Sequence, residues 1–245
     1  MNSAILSTSR QILNHLNTFT AIPTGSQVFV IRTSGQWVCP PEMVGAEMEI
    51  WACGAGTGGD PTPSGRAGDA SVIRHFRTTA SATAQITIGA GSSNSHTAGG
   101  NTVVTVGGVN HVAQGANVSD INTLGSRGGT QSGERGYSGS GNGRISHINV
   151  VLNYWEDRLE RQVAREGDNR YHPAGAMPTN SFNAGCSGGG GFGGRGGAAA
   201  PQGQNAADAP ANSGAGGGTG GVGATRGGMG GNGLAILILH NRRVV

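Results

Sequence analysis

Histidine, cysteine and carboxylate side chains are the groups in this sequence that could bind a metal ion or catalyse a reaction. The chain has 7 histidines, 3 cysteines and 13 acidic residues. The histidines are scattered, with no HExxH motif and no cysteine at zinc-ligand spacing. Most carboxylates fall on predicted strand or helix faces, where a solvated position is common. We therefore predict no metal, no cofactor, no catalytic residue and no enzymatic activity.

The cysteines, Cys39, Cys53 and Cys186, are odd in number and form no CxxC pair. This pattern is typical of buried free thiols in a protein made in a reducing cytoplasm. We expect no secretory signal peptide, because the N-terminus lacks a basic region followed by an apolar run. The longest apolar segment, residues 234–239, is too short to span a membrane.

Glycine dominates the composition. Of 245 residues 48 are glycine, while apolar residues make up 35% and aromatic residues 4%, which argues against a conventional core throughout. Charged residues make up only 12%, which argues against a charge-rich disordered chain. The net charge of +3 is spread along the chain without a basic cluster, so we predict no nucleic-acid partner.

The first elements needed to position any site are one helix and several strands. Residues 2–20 have an amphipathic helical pattern that ends at the TAIPTG sequence of residues 20–25. So short a helix must pack on its own domain, on copies of itself or on another protein. Residues 27–110 contain short β-branched and aromatic runs separated by turn residues, which predict strands. Residues 234–239 predict a last strand that pairs with these early ones.

Three glycine-dense tracts, residues 125–143, 185–203 and 214–233, lie between these elements. Glycine recurs at every third position in parts of each tract, for example at Gly214, Gly217, Gly220 and Gly223. This period matches the polyproline II helix, and glycine along one edge lets neighbouring backbones approach closely. The spacing therefore predicts a bundle of short polyglycine II helices, and a disordered glycine linker is the alternative.

Residues 145–184 interrupt the glycine tracts. Their first half predicts an amphipathic helix, and its apolar stripe consists of Ile148, Leu152, Trp155, Leu159 and Val163. Their second half predicts a polar loop with three aromatic side chains. Exposed aromatics on loops are often binding residues. By contrast, we expect Trp37 and Trp51 to pack in the core against the glycine tracts.

Four motifs occur in a fixed order along the chain. They are QWVCPPEMVGAEMEIWACGAGTGG (36–59), AQITIGAG (84–91), GGNTVVTVGG (99–108) and GGVGATRGGMGGNGLAILIL (220–239). The ordered set resembles the glycine-rich tail-fibre and tail-tip proteins of phages, especially the adhesins that cap the long tail fibres of T-even-like phages. This resemblance implies a sandwich of polyglycine helices that carries receptor-binding loops. It also implies that the N-terminal part attaches to a fibre or tail component.

The fold class that follows is mainly β, with a glycine-rich polyproline II (polyglycine II) helical bundle, a short N-terminal helix and one inserted amphipathic helix. We predict an N-terminal attachment segment of helix and strand at residues 1–35. A glycine-rich adhesin domain follows at residues 36–240, with the inserted helix and loop at 145–184. The expected function is host-cell attachment by a tail-fibre or tail-tip protein of a virion, synthesised in the host cytoplasm.

The candidate site residues follow from these expectations. Candidate receptor-binding residues lie in the loops 168–184 and 198–213, and they are Asn169, Arg170, Tyr171, His172, Asn180, Phe182, Asn183, Gln204 and Asn205. Candidate residues for attachment to the fibre or tail form the seam of the N-terminal helix, and they are Ile5, Ile12, Leu16 and Phe19. Expected partners are other tail or fibre proteins and a bacterial outer-membrane protein or polysaccharide. The chain would act as a homotrimer or as a monomer on a trimeric fibre.

Three other functions compete with adhesion. A purely structural tip of the virion would need no receptor loops. An Arg/Gly-type nucleic-acid binder is suggested by GGRGG around Arg195 and TRGGMGG around Arg226, but repeated boxes and interleaved aromatics are lacking. An ice-binding glycine-helix protein would have flat repetitive faces, whereas this chain has long irregular loops.

Overall fold

The computed structural model describes residues 26–62, 65–93, 97–120, 124–126, 128 and 195–240. Within these ranges the regular elements are β-strands and a single 3-10 turn, Pro41–Met43. The strands are β1 (Gln27–Ile31), β2 (Gly35–Val38), β3 (Glu47–Cys53), β4 (Ala70–Ser71), β5 (Ile73–Thr79), β6 (Thr83–Thr87), β7 (Thr102–Val106), β8 (Val109–Ala113), β9 (Leu124–Ser126) and β10 (Leu234–His240). In this part of the chain, no helix has the length and apolar character to cross a membrane.

The first sheet has the strand order β1-β10-β3-β5, and all of its pairs are antiparallel. Its central strand β10 is apolar on both faces, and residues 234–239 are each at most 3% exposed. A continuous apolar run is typical of a strand that is buried on both sides. The predicted pairing of residues 234–239 with the early strands is therefore confirmed, because β10 lies between β1 and β3.

The second sheet has the order β2-β6-β7-β8, and it covers one face of the first sheet. Its strands alternate, as in β6, where Ala84 and Ile86 are buried and the residues between them are exposed. Phe29 of the first sheet meets Trp37 of the second edge to face, with ring centroids 5.2 Å apart. Trp37 thus packs on the core between the sheets, while Trp51 is buried in a second apolar cluster on the other face of the first sheet.

A set of glycine-rich segments lies next to the end of β3 and the start of β10. We call it the glycine layer; it consists of residues 54–59, 67–69, 195–200, 205–209, 214–221 and 226–233. These segments run side by side and join through backbone hydrogen bonds. In the central segment, 214–221, every residue is buried. Consecutive residues bond to different neighbours, since Gly217 donates to the carbonyl of Thr57 at 3.0 Å and Gly218 donates to that of Ala207 at 3.3 Å.

Close approach of backbones leaves no room for a Cβ atom at many glycines of this layer. A Cβ atom on Gly217 would fall on the carbonyl group of Gly228, and one on Gly216 would fall on that of Gly68. Both obstacles are backbone atoms, which cannot rotate away as a flexible side chain can. The glycine spacing therefore correctly indicates tight backbone packing.

The predicted polyglycine II helical bundle is wrong for the described residues. The glycine segments there are irregular extended chain, and the regular structure is antiparallel β-sheet. Gly214 and Gly223, the ends of one triplet run, have φ of 62° and 86°, whereas the polyproline II helix needs φ near −75°. Glycine permits these left-handed values, so a triplet spacing alone does not impose one helical conformation. The helices predicted at residues 2–20 and 145–163 lie outside the described residues.

Small polar side chains complete the hydrogen bonding inside the glycine layer. Asp69 is fully buried, and its carboxylate accepts from the backbone N–H of Gly128 at 2.9 Å. Arg66 lies 3.2 Å from the other carboxylate oxygen of Asp69. The hydroxyl of Thr57, also fully buried, accepts from the backbone N–H of Asp69 at 2.8 Å. These residues satisfy backbone groups where no water reaches them.

Cys39 and Cys53 are buried free thiols, which confirms the expectation for these two residues. Burial raises the pKa of the Cys53 thiol to about 12 and outweighs the opposing hydrogen bonds. A thiol with so high a pKa is protonated and inert at neutral pH. Cys186 lies outside the described residues.

Replacement of Gly217 by alanine tests the packing of the glycine layer. Because the added methyl group meets the Gly228 backbone, Gly217→Ala should lower the free energy of unfolding by at least about 3 kcal/mol or prevent soluble folding. Urea unfolding followed by circular dichroism measures this change. The control Ala211→Val adds two carbons at an exposed turn and should change stability by less than about 0.5 kcal/mol. An unchanged stability of Gly217→Ala would contradict the packing described here.

Candidate functional site

Three loops lie side by side at the end of the glycine layer that is remote from the sheets. We call them the tip loops; their described residues are 60–62 with 65–66, 201–204, and 222–225. Backbone hydrogen bonds join the second and third of these loops to each other and the first to the adjoining glycine layer. Gly203 donates to the carbonyl of Val222 at 2.7 Å, and Gly220 donates to that of Asp60 at 3.1 Å. The fold brings these loops together from separate positions along the chain.

Two of the tip loops are built in the same way. In loop 201–204 the N–H of Gln204 donates to the carbonyl of Pro201, and Gly203 has φ of 77°. In loop 222–225 the N–H of Ala224 donates to the carbonyl of Gly221. The third residue of this turn, Gly223, has φ of 86°. A positive φ at the third position is the requirement of a type II turn. The second position of each turn, Gln202 or Val222, is exposed.

Side-chain acceptors tie these two loops to each other. The amide oxygen of Asn205 accepts from the backbone N–H of Thr225 at 2.9 Å, from its hydroxyl at 3.1 Å and from the backbone N–H of Arg226 at 3.0 Å. Asp208 accepts from the Arg226 guanidinium at 2.7 Å and from the backbone N–H of Met229 at 2.8 Å. The segment 205–208 thus holds the segment 225–229 at several points.

Two arginines at the tip are paired with carboxylates of the chain. Arg226 pairs with Asp208, and Arg66 pairs with Asp69. Burial raises the pKa of Asp208, but hydrogen bonds from the Met229 backbone and Arg226 outweigh it and lower the pKa below its ordinary 3.8. The carboxylate of Asp60 accepts from the backbone N–H of Arg66 at 2.7 Å. Among the described residues, the tip therefore presents amide, hydroxyl and small apolar groups together with paired charges of both signs.

Two predicted receptor-binding residues, Gln204 and Asn205, lie at the tip and are exposed. The other seven, in residues 169–183, lie outside the described residues, as do the four attachment candidates of the N-terminal helix. Asn212, which belongs to the same predicted loop as Gln204, is elsewhere. Its side-chain amide donates to the carbonyls of Arg32 at 2.7 Å and Gly233 at 3.1 Å, near the sheets.

Sequence reasoning missed the loop 222–225 because it falls inside a glycine tract with triplet spacing. The available signal was the VGATR sequence, residues 222–226, which interrupts the glycines with larger and polar side chains. Its role as a loop depends on the turn at Gly223, where φ is positive. That conformation cannot be read from a glycine by itself, because glycine populates both signs of φ.

A cluster of titratable side chains lies on the outer face of the first sheet. The Glu49 carboxylate accepts from Trp51 at 3.2 Å, His75 at 3.1 Å and Arg77 at 3.3 Å, and the ring of His240 lies 3.3 Å away. Burial raises the pKa of Glu49, but hydrogen bonds and charge from His240 and His75 outweigh it and hold the pKa well below its ordinary 4.5. Such a carboxylate is a poor general acid or base near neutral pH.

Glu49 departs from the solvated position expected of most carboxylates, since its side chain is only 15% exposed. His75 also stacks on Trp51, with ring centroids 3.9 Å apart. No group of three or more metal-ligating side chains with suitable geometry occurs in the part of the chain that the structure describes. The contacts of Glu49 with His75, Arg77 and His240 link β3 to β5 and β10.

Comparison with protein families places the chain. A family model described as a glycine-rich domain matches residues 31–239. This range includes the second sheet, the whole glycine layer, β3, β5 and all but the last residue of β10, but only Ile31 of β1. The chain therefore belongs to this family of glycine-rich domains. A comparison with curated proteins yields no match.

Replacement of Glu49 by glutamine tests the ion cluster. A carboxylate with a lowered pKa stabilises the fold above its unfolded pKa, and this stability is lost as the pH falls through the folded pKa. Glu49→Gln should therefore lower the free energy of unfolding by about 1–3 kcal/mol at pH 6, and the difference should shrink as the pH falls below about 4. Urea unfolding at several pH values measures both effects. The control Glu47→Gln alters a carboxylate that is 57% exposed and should have little effect. A pH-independent loss in Glu49→Gln would contradict the role of its charge.

Proposed function

We propose that this glycine-rich domain protein is a non-enzymatic adhesin at the tail fibre or tail tip of a bacteriophage, and that the tip loops contact the bacterial surface receptor. The observation that carries this proposal is the convergence of the tip loops at one end of a tightly packed scaffold. Binding residues are often carried on loops that a rigid framework positions. The glycine layer has few side chains of its own to offer, so specificity must reside in the loops.

Features of the opposite end support an attachment role there. We call this end the base; it is where β2 ends, β3 begins and β7 turns into β8. Three exposed valines lie at the base, namely Val38 (67% exposed), Val44 (44%) and Val109 (57%). Exposed apolar side chains that cluster at one end are typical of a protein interface.

The terminal segments also enter at the base. β1 begins there with Gln27, which is paired with Leu239 near the end of β10. The Ser26 hydroxyl lies 3.1 Å from the ring nitrogen Nδ1 of His240. Ser26, the first described residue, therefore lies at the end opposite the tip loops. This placement suits attachment to another tail protein at the base while the tip faces the receptor.

Cell binding by matched variants tests the proposal. The tip variant Gln202→Ala/Gln204→Ala/Val222→Ser changes three exposed side chains and should reduce binding of the purified, labelled protein to susceptible bacteria by at least about tenfold. The sheet variant Gln36→Ala/Gln85→Ala/Val38→Ser changes the same residue types on the second sheet and should bind as the unchanged protein does. Both should keep their melting temperature, because all six side chains are exposed.

Two outcomes would contradict the proposal. Unchanged cell binding by the folded tip variant would place the receptor site elsewhere. Failure of the unchanged protein to bind any susceptible strain would favour a purely structural component of the tip. Strains that lack surface polysaccharide or single outer-membrane proteins then identify which receptor class supports binding.

Deletion of residues 1–24 tests the attachment role of the N-terminal segment. The deletion ends before β1, which pairs with β10, so both sheets should remain folded. The shortened protein should bind cells normally but should no longer be incorporated into phage particles, as measured by immunoblotting of purified particles. Normal incorporation of the shortened protein would contradict this role.

A further inference from the structure

We propose that Asn205 is a positioning residue that joins two tip loops into one recognition surface, and that it does not itself contact the receptor. The effect of Asn205 on cell binding rests on the proposed function. Its effect on the joining of the two loops, measured by hydrogen exchange, does not. This inference replaces the sequence-based expectation that Asn205 binds the receptor. The contact surface then consists of the exposed side chains that Asn205 holds in place, chiefly Gln202, Gln204 and Val222.

The orientation of the Asn205 amide is determined by its neighbours. The backbone N–H groups of Thr225 and Arg226 can only donate, so the group that faces them must be the side-chain oxygen. The Thr225 hydroxyl lies at 3.1 Å from the same oxygen. An amide oxygen has two lone pairs, so the three donors around it leave no acceptor capacity for another partner. This oxygen is therefore directed into the protein and committed there.

These bonds cross between loops that are about twenty residues apart in sequence. The segment after the turn 201–204 supplies the acceptors, and the segment after the turn 221–224 supplies the donors. Asp208 adds a second connection in the same direction, because its carboxylate accepts from the Arg226 guanidinium and from the Met229 backbone N–H. The backbone bond from Gly203 to Val222 completes a closed ring of contacts around the two turns. The two type II turns therefore move as one unit.

Joining the loops beforehand favours binding. A loop that is already ordered loses less conformational entropy when it meets its partner. Recognition surfaces gain affinity from such preorganisation as well as from new contacts. Residues at the second position of each turn can then differ in chemistry while the backbone beneath them stays fixed.

Three single variants of the full chain separate positioning from contact. Asn205→Ala removes the acceptor, and it should speed hydrogen exchange of the Thr225 and Arg226 amides and weaken cell binding, each by about tenfold. Asn205→Asp keeps a side-chain oxygen for the same three donors but lacks the amide N–H₂, and it should restore both properties. Gln204→Ala should weaken cell binding without altering exchange at Thr225 and Arg226, since its backbone bonds remain.

The outcomes are distinct. If Asn205→Ala loses cell binding while exchange is unchanged, or if Asn205→Asp restores exchange but not binding, then Asn205 contacts the receptor and the positioning role is overturned. If exchange at Thr225 and Arg226 is the same in all variants, the two loops are not joined through Asn205. If the unchanged protein binds no cells, the proposed function fails, while the exchange data still decide whether Asn205 joins the loops.

Discussion

The close approach of backbones in the glycine layer is the constraint on which the rest of the structure depends. Neighbouring segments lie so near that carbonyl groups occupy the volume where a Cβ atom would be, as at Gly217 and Gly216. Each segment therefore satisfies its backbone polar groups on other segments rather than within itself. Because the bonds go to different neighbours in turn, no segment is stable alone, and the layer forms as a whole or not at all.

The two sheets supply what the glycine layer lacks. Burial of apolar side chains is the main favourable contribution to folding, and in the described residues the large apolar side chains lie mostly in the sheets. β3 and β10 lead directly into and out of the layer, and their register pairs Cys53 with Leu234 at its boundary. The hydrophobic core thus fixes the positions from which the glycine segments 54–59 and 226–233 depart.

Local patterns made the strands predictable. Alternation identifies β6, a continuous apolar run identifies β10, and the pairing of β10 with early strands follows from its burial on both faces. The glycine conformation was not predictable in the same way, since Gly214 and Gly223 adopt φ values that a triplet spacing does not reveal. Of the candidate site, sequence placed Gln204 and Asn205 on a loop. The role of Asn205 depends on Thr225 and Arg226, and such long-range contacts leave no local signal.

The sparse side chains of the glycine layer also set its response to temperature. On unfolding, exposure of apolar surface to water raises the heat capacity, whereas exposure of peptide groups lowers it. The core between the sheets contributes the first effect, and the glycine layer, whose buried surface is largely backbone, contributes the second. The whole domain should therefore show a smaller heat-capacity change per residue than the usual value of about 12–15 cal/mol/K. A smaller change gives a flatter stability curve, so the domain should lose little of its stability when it is cooled.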